Sequence, residues 1–341
     1  VRKPDPASAP GPFVSPRYLP LLAILSLGFY VAVLSIFRLA TGDVFILLKT
    51  GEYVLTHGWV PARDTFSFTA SDHVAVAHEW LSGVVFYIVH AIGGIDGLIL
   101  FRAAVAGATV FLLYGTARLL RASVPILLIS AALPLYVASA RFLDRPHLFS
   151  FLFVALYLRL FFQWREGGRR RVWLYAIPPL HILWVNLHGG HLQGLLLVAT
   201  FAVGEGLAWA RARRLKEGID TMATAGELRL LAALVPSCLL ASLVNPYGYR
   251  LLTLPFELTG MPIFMKDVLE WRPPYDATYN TYTMFVLFVV HILILCASFF
   301  LSQGEKRKWN RLFPALLAGE LVLLGFFWFQ DPPIHWTPSL L

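Results

Sequence analysis

Long apolar blocks constrain this chain more than any other feature. They recur at about 19–40, 97–118, 123–140, 147–163, 172–187, 190–210, 229–244, 281–301 and 312–330. About 20 apolar residues in a helix cross the hydrocarbon core of a bilayer. Inside lipid, a helix is one of only two structures that satisfy their own backbone hydrogen bonds. Composition agrees, with 57% hydrophobic and 14% charged residues against about 45–50% and 25% in soluble domains. The expected fold is therefore all-α: a polytopic transmembrane helix bundle of about nine spans. Soluble globular folds are excluded. Residues 1–17 are polar and Pro-rich and read as a disordered cytoplasmic tail, with 18–341 as a single transmembrane domain. The first block is too long for a signal-peptide core and lacks a small-residue cleavage site, so it is expected to be retained. A start at Val and a Pro-rich end leave room for a longer product.

The net charge of +8 does not point to nucleic acid, because the basic residues sit in short runs beside apolar blocks. Five runs, around Arg17, Arg118, Arg170, Arg213 and Lys306, hold eighteen of the 28 lysines and arginines. The positive-inside bias places all five in the cytoplasm, so neighbouring runs must be separated by an even number of crossings. Between the first two runs lie three apolar stretches, and the shortest, 79–93, is therefore expected to be an interfacial or re-entrant helix on the outer face. Two substantial outer loops follow, 41–96 and 245–280, and the C-terminus is expected outside. Under this topology the outer segments carry 12 of the 20 acidic residues, so carboxylate chemistry is expected on the outer face. Cys238 and Cys296 lie in apolar blocks and form no metal motif or disulfide framework.

The first outer loop begins TGDVFILLKTGEYVLTHG, with Asp43 directly after the first span and 44–57 apolar enough to lie on the membrane surface as a short helix. A turn-rich stretch, WVPARDTFSFTASDH, leads to HEW, where Glu79 opens the interfacial helix. This arrangement resembles the GT-C superfamily of membrane glycosyltransferases, which includes protein O-mannosyltransferases, aminoarabinose transferases and oligosaccharyltransferases. In those proteins a long first outer loop with juxtamembrane helices carries a catalytic acidic residue near its start, the position of Asp43. The resemblance covers the architecture of roughly residues 18–250. It implies a polyprenyl-phosphate-linked sugar donor and inverting transfer to an acceptor hydroxyl or amide. Many members have an adjacent acidic pair there, whereas Gly42 and Val44 flank a single Asp here. Asp43 is thus expected either to accept the acceptor's proton or to hold a divalent cation, with Glu79 as the second carboxylate. The alternative for both is helix capping.

RFLDRPH places Arg141, Asp144, Arg145 and His147 at a membrane boundary. Two arginines outside run against the positive-inside bias, and a guanidinium fork suits a phosphate. The alternative is an internal Arg–Asp pair. Arg102 and Arg250, near outer ends of spans, are candidates for the same phosphate site. WVNLHGGHLQG clusters Asn186, His188 and His191 in a tight turn, where hydrogen bonding to substrate or neighbouring helices competes with metal binding. Trp271 and Tyr275 in the last outer loop are candidates for stacking on a sugar, or belong to an aromatic belt. Buried pairing is expected for Glu205. Three functions remain open: a transferase using a lipid-linked sugar donor among membrane lipids, a non-catalytic scaffold with protein partners in a membrane complex, and a transporter. Internal repeats typical of transporters are not evident.

Overall fold

The computed structural model describes residues 18–39, 42–66, 76–122, 124–139, 141–168, 170–216 and 223–259. Their regular elements are ten helices, and no strand occurs among the described residues. In chain order these are α1 Leu19–Ser35, α2 Asp43–His57, α3 Trp80–Leu119, α4 Val124–Ser139, α5 His147–Glu166, α6 Val172–Tyr175, α7 Ile177–Leu187, α8 His191–Leu215, α9 Ala225–Ala241 and α10 Arg250–Thr259. Three of them, α3, α5 and α8, are long and apolar enough to cross a membrane. The apolar blocks expected at 281–301 and 312–330 lie outside the described residues.

The apolar surface is distributed as a lipid solvent would require. Phe29 on α1, Leu100 and Phe111 on α3, and Val203 on α8 are all exposed, on helices with few charges. Inside, two clusters hold the bundle together. One gathers Tyr157, Phe161 and Trp164 of α5, Trp184 of α7 and Phe201 of α8, with Phe161 stacked on Phe201 at 4.2 Å. The other packs Ala23, Leu27 and Val31 of α1 against Val105 and Val110 of α3 and Leu127 of α4. Glu205 pairs with Arg165 at 3.2 Å, both largely buried, as expected of an acid inside the bundle. Arg159 reaches back to α3 and donates to Gly115 O at 2.6 Å.

The two stretches expected to be separate, 79–93 and 97–118, run as α3 but are broken by Gly94, whose φ of 60° and ψ of −151° are non-helical. Only glycine adopts this conformation readily. Past the break the chain folds back: a Cβ on Gly97 would stand 3.1 Å from Val89 O. In a straight helix, residues eight apart are about 12 Å apart along the axis. The first part of α3 packs on α2 by direct backbone contact, since a Cβ on Gly51 would lie 2.1 Å from Gly83 O, and one on Gly83 2.7 Å from Leu47 O. The two short helices of the first loop are thereby fastened to each other.

Other boundaries follow local chemistry. Pro20 and Pro178 sit in the first turns of α1 and α7, where a missing N–H leaves no intrahelical bond unmade. A capping box opens α9: the Glu227 N–H donates to Thr224 Oγ1 at 3.2 Å, and the Thr224 N–H donates to the Glu227 carboxylate at 2.7 Å. It starts the helix four residues before the expected position. α10 lies within the stretch expected to be an outer loop.

The Gly51–Gly83 contact is expected to be intolerant of any side chain. Gly51→Ala should destabilise the purified protein by about 1–3 kcal/mol, the usual cost of overpacking. Gly28→Ala, at a position with no atom within 4 Å of the new Cβ, should not. Denaturant unfolding in detergent compares the two, and equal stability would mean that the helices do not touch there.

Candidate functional site

A single guanidinium organises the end of the bundle that carries Asp43. Arg102, in the middle of α3, is fully buried. Its Nη1 bonds to the Asp144 carboxylate, Nε donates to Ser35 O at 2.8 Å, and Nη2 donates to Phe37 O. The same group lies 3.9 Å above the Phe37 ring. Arg102 therefore joins the end of α1 to the 141–146 turn, and it lies in the interior rather than on a cavity wall. The internal pair that Asp144 makes is with Arg102, an arginine expected at the phosphate site, rather than with Arg141 or Arg145.

Holding Asp144 inward turns its neighbours the other way. Arg141 and Arg145 line a cavity of about 520 Å³. At its mouth Arg145 Nη2 meets Asp43 Oδ2 at 3.0 Å, with Asp43 54% and Arg145 21% exposed. Asp43 is the first residue of α2 and makes no capping hydrogen bond, the N-cap being Gly42. Glu79 is the N-cap of α3, again without a side-chain cap bond. Neither carboxylate is spent on its helix; both face the cavity. His147 Nε2 donates to Arg141 O, fixing the turn from the α5 side.

The histidines form the inner wall. His188 Nε2 lies 3.4 Å and His78 Nε2 3.7 Å from Glu79 Oε1. His188 Nδ1 accepts from the Gly190 N–H at 3.0 Å and lies 2.6 Å from Ser150 Oγ. Ser150 Oγ in turn accepts from Trp184 Nε1 at 2.9 Å. Burial holds His188 well below the ordinary histidine range, reinforced by His78, His191, Arg141 and Arg145. His191 is buried, with its ring 5.7 Å from that of His181.

Opposite the polar wall, Leu251, Leu254, Pro255 and Leu258 of α10, with Ile46 of α2, form an apolar one. Tyr247 holds this flap in place. Its hydroxyl accepts from the Ala77 N–H at 2.9 Å and donates to Pro61 O at 2.8 Å. Burial raises its phenol above the usual range, which keeps the proton on the oxygen that donates. The cavity lining thus combines two guanidinium groups, two carboxylates and a set of aliphatic side chains.

Other expected site residues lie elsewhere. Asn186 is a brace: its amide donates to Ile182 O and Val244 O at 2.8 and 2.9 Å and accepts from Trp80 Nε1 at 2.9 Å. Arg250 is exposed at the start of α10 and is not among the lining residues. Trp271 and Tyr275 lie outside the described residues. Among the described residues no group of three His, Cys, Asp or Glu side chains stands close enough to hold a metal. The nearest charged partner of Asp43 is a guanidinium, which repels a cation. The surroundings of Asp43 therefore do not fit a divalent ion, and no step is assigned to one.

His78, Ser150, Trp184 and the α10 wall are the parts that the sequence did not single out. His78 had a signal, standing beside Glu79 in HEW. Ser150 and Trp184 had none, since each is an isolated polar-capable residue in an apolar helix. No family model, curated protein or solved structure matches the chain.

If Arg102 is the anchor, Arg102→Met should cost about 3–5 kcal/mol, because it leaves the Asp144 carboxylate buried without a counter-charge. Arg102→Met combined with Asp144→Leu should recover much of that loss. Thermal unfolding in detergent distinguishes this from a peripheral arginine, for which the single variant would melt like the wild type.

Proposed function

We propose that this chain is a GT-C-like membrane glycosyltransferase that moves a sugar from a polyprenyl-phosphate-linked donor to an acceptor hydroxyl or amide. The observation that carries the reading is the meeting of Asp43 and Arg145 at 3.0 Å on the rim of a cavity with one cationic and one aliphatic wall. An amphiphile with an anionic head matches both walls at once. The phosphate would sit against Arg141 and Arg145, where the planar forks suit its oxygens. The first isoprene units would lie along Leu251, Leu254 and Leu258.

In the proposed reaction the acceptor oxygen or nitrogen attacks the anomeric carbon from the face opposite the phosphate. Its proton passes to the Asp43 carboxylate. The bond between the anomeric carbon and the phosphate oxygen breaks, and the polyprenyl phosphate leaves with the added charge, which the two guanidinium groups stabilise. Stabilisation of charge that develops in the transition state is commonly the largest catalytic contribution. The same reading includes the topology of about nine spans, with the N-terminus and the runs at Arg118 and Arg170 cytoplasmic and the cavity opening on the outer face. Outward labelling of a cysteine placed at position 118 would contradict it.

A second reading has its own observation. Asp43 is already paired with Arg145, and a scaffold subunit would keep that pair permanently. Turnover separates the two. With a polyprenyl-phosphate sugar, Asp43→Asn should lose about 10²–10⁴-fold in turnover, while the thermal stability changes little. Arg141→Gln and Arg145→Gln should each weaken binding of a polyprenyl-phosphate analogue. Full turnover in Asp43→Asn would remove Asp43 from the reaction. Wild-type protein that binds no such lipid would favour the scaffold.

A further inference from the structure

Glu79 is the more buried of the two cavity carboxylates, and the groups that set the histidine beside it come from three helices. His188 stands at the junction of α7 and α8, Ser150 in the first turn of α5, and Trp184 one turn before the end of α7. The direction of each hydrogen bond can be worked out from the donors. Trp184 Nε1 has only a proton to offer, so Ser150 Oγ accepts at 2.9 Å. A main-chain N–H likewise only donates, so Gly190 N gives its proton to His188 Nδ1 at 3.0 Å. That nitrogen therefore carries no proton of its own. The Ser150 hydroxyl, 2.6 Å away, points its hydrogen at the same atom. A neutral imidazole with a bare Nδ1 has its proton on Nε2, and Nε2 is the atom 3.4 Å from Glu79 Oε1.

The geometry points to His188 as the positioning residue of Glu79: Gly190, Ser150 and Trp184 fix its ring as the Nε2–H tautomer, which puts the protonated nitrogen 3.4 Å from the Glu79 carboxylate. Glu79 is 25% exposed and borders the cavity, so an aimed carboxylate there faces whatever the cavity binds. Gly190 is required at its place, since a Cβ would stand 2.2 Å from Ser150 Oγ and 2.7 Å from His188 Nδ1. The order Ser–His–carboxylate is that of a hydrolase triad, but the roles do not transfer. Ser150 is fully buried, is absent from the cavity wall and already accepts from Trp184. It sets the histidine and does not attack a substrate. The burial that disfavours protonation of His188, with His78, His191, Arg141 and Arg145 around it, agrees with a ring that acts as a neutral donor rather than as a cation.

Two kinds of carboxylate thus share one cavity. Asp43 is half exposed and paired with a guanidinium. Glu79 is more buried and faces the imidazoles of His78 and His188. Different surroundings of this kind are how one site assigns different tasks to two acids. On the transferase reading, which only the second arm of the test requires, Glu79 orients the acceptor or the sugar while Asp43 takes the proton.

The first arm is spectroscopic and needs no substrate. In protein labelled with ¹⁵N-histidine and held in detergent micelles, the His188 signals are identified by their loss in His188→Gln. The wild type should show a neutral ring with Nε2 protonated. Glu79→Gln should shift the Nε2 resonance, and Ser150→Ala should shift Nδ1 while leaving the proton on Nε2. A ring protonated on Nδ1, or an Nε2 signal indifferent to Glu79→Gln, would overturn the assignment. The second arm is turnover with a polyprenyl-phosphate sugar. His188→Gln, which carries an N–H near the former Nε2, should retain most of it. His188→Asn should lose about 10–100-fold, the scale on which loss of an orienting partner is felt. Equal losses in both variants would mean that His188 only fills space. A wild type without turnover would count against the transferase reading and leave the tautomer result to decide the role of His188.

Discussion

The buried guanidinium of Arg102 is the constraint on which the rest of this end of the molecule depends. An arginine in the middle of an apolar helix is costly unless every donor is met. Here a carboxylate, two main-chain carbonyls and a ring face divide the guanidinium among them. The partners come from two segments, so satisfying Arg102 on α3 brings together the end of α1 and the 141–146 turn. Once Asp144 is drawn inward, Arg141 and Arg145 on either side border the cavity. The cationic wall is a by-product of meeting a desolvation cost elsewhere.

From that anchor outward the site shows a gradient of burial. The Arg102–Asp144 pair is sealed, the Glu79–His188 contact is largely covered, and the Asp43–Arg145 pair opens to the cavity mouth. Coulombic attraction strengthens as water is excluded, whereas an exposed ion pair contributes about 0–1 kcal/mol. The outermost pair is therefore the one that a competing anion can break. A phosphate offering two or more charged oxygens to Arg141 and Arg145 together has the advantage over one half-exposed carboxylate. On the proposed reading, the aliphatic face of α10, fastened by Tyr247 to the first loop, takes the tail of such an anion.

Much of this was legible in the sequence, and the unread remainder has physical causes. The apolar blocks marked the long helices because lipid-spanning segments need length and hydrophobicity, which composition records directly. The short stretch at 79–93 stood out by length and parity, and the chain does break at Gly94. Asp43 and Glu79 were visible because each abuts an apolar block, although the sequence left capping open and only the geometry turned both toward the cavity. Arg102 and Arg145 looked alike, since the difference between a buried anchor and a cavity-lining cation lies in Asp144, whose contact with α3 spans 42 residues of chain. Asn186 looked like a substrate ligand because two of its three hydrogen-bond partners, Trp80 and Val244, are similarly remote. The start of α9 was written plainly as T-A-G-E, a capping box, and the run RLLTLPFELT after a Gly turn carried the apolar spacing of α10. Ser150 and Trp184 left no trace, because a hydrogen bond between two residues of apolar helices has no pattern along the chain.

The central claim is that the cavity beside Asp43 receives the phosphate of a lipid-linked molecule. The most direct measurement is a density map of the protein in a lipid nanodisc with a non-hydrolysable polyprenyl-phosphate sugar analogue. The account expects the phosphate between Arg141 and Arg145, the tail along Leu251, Leu254 and Leu258, and the Asp43 carboxylate released from Arg145 toward the anomeric carbon. A lipid phosphate bound elsewhere on the protein, with the Asp43–Arg145 pair intact and the cavity holding only solvent, would contradict it.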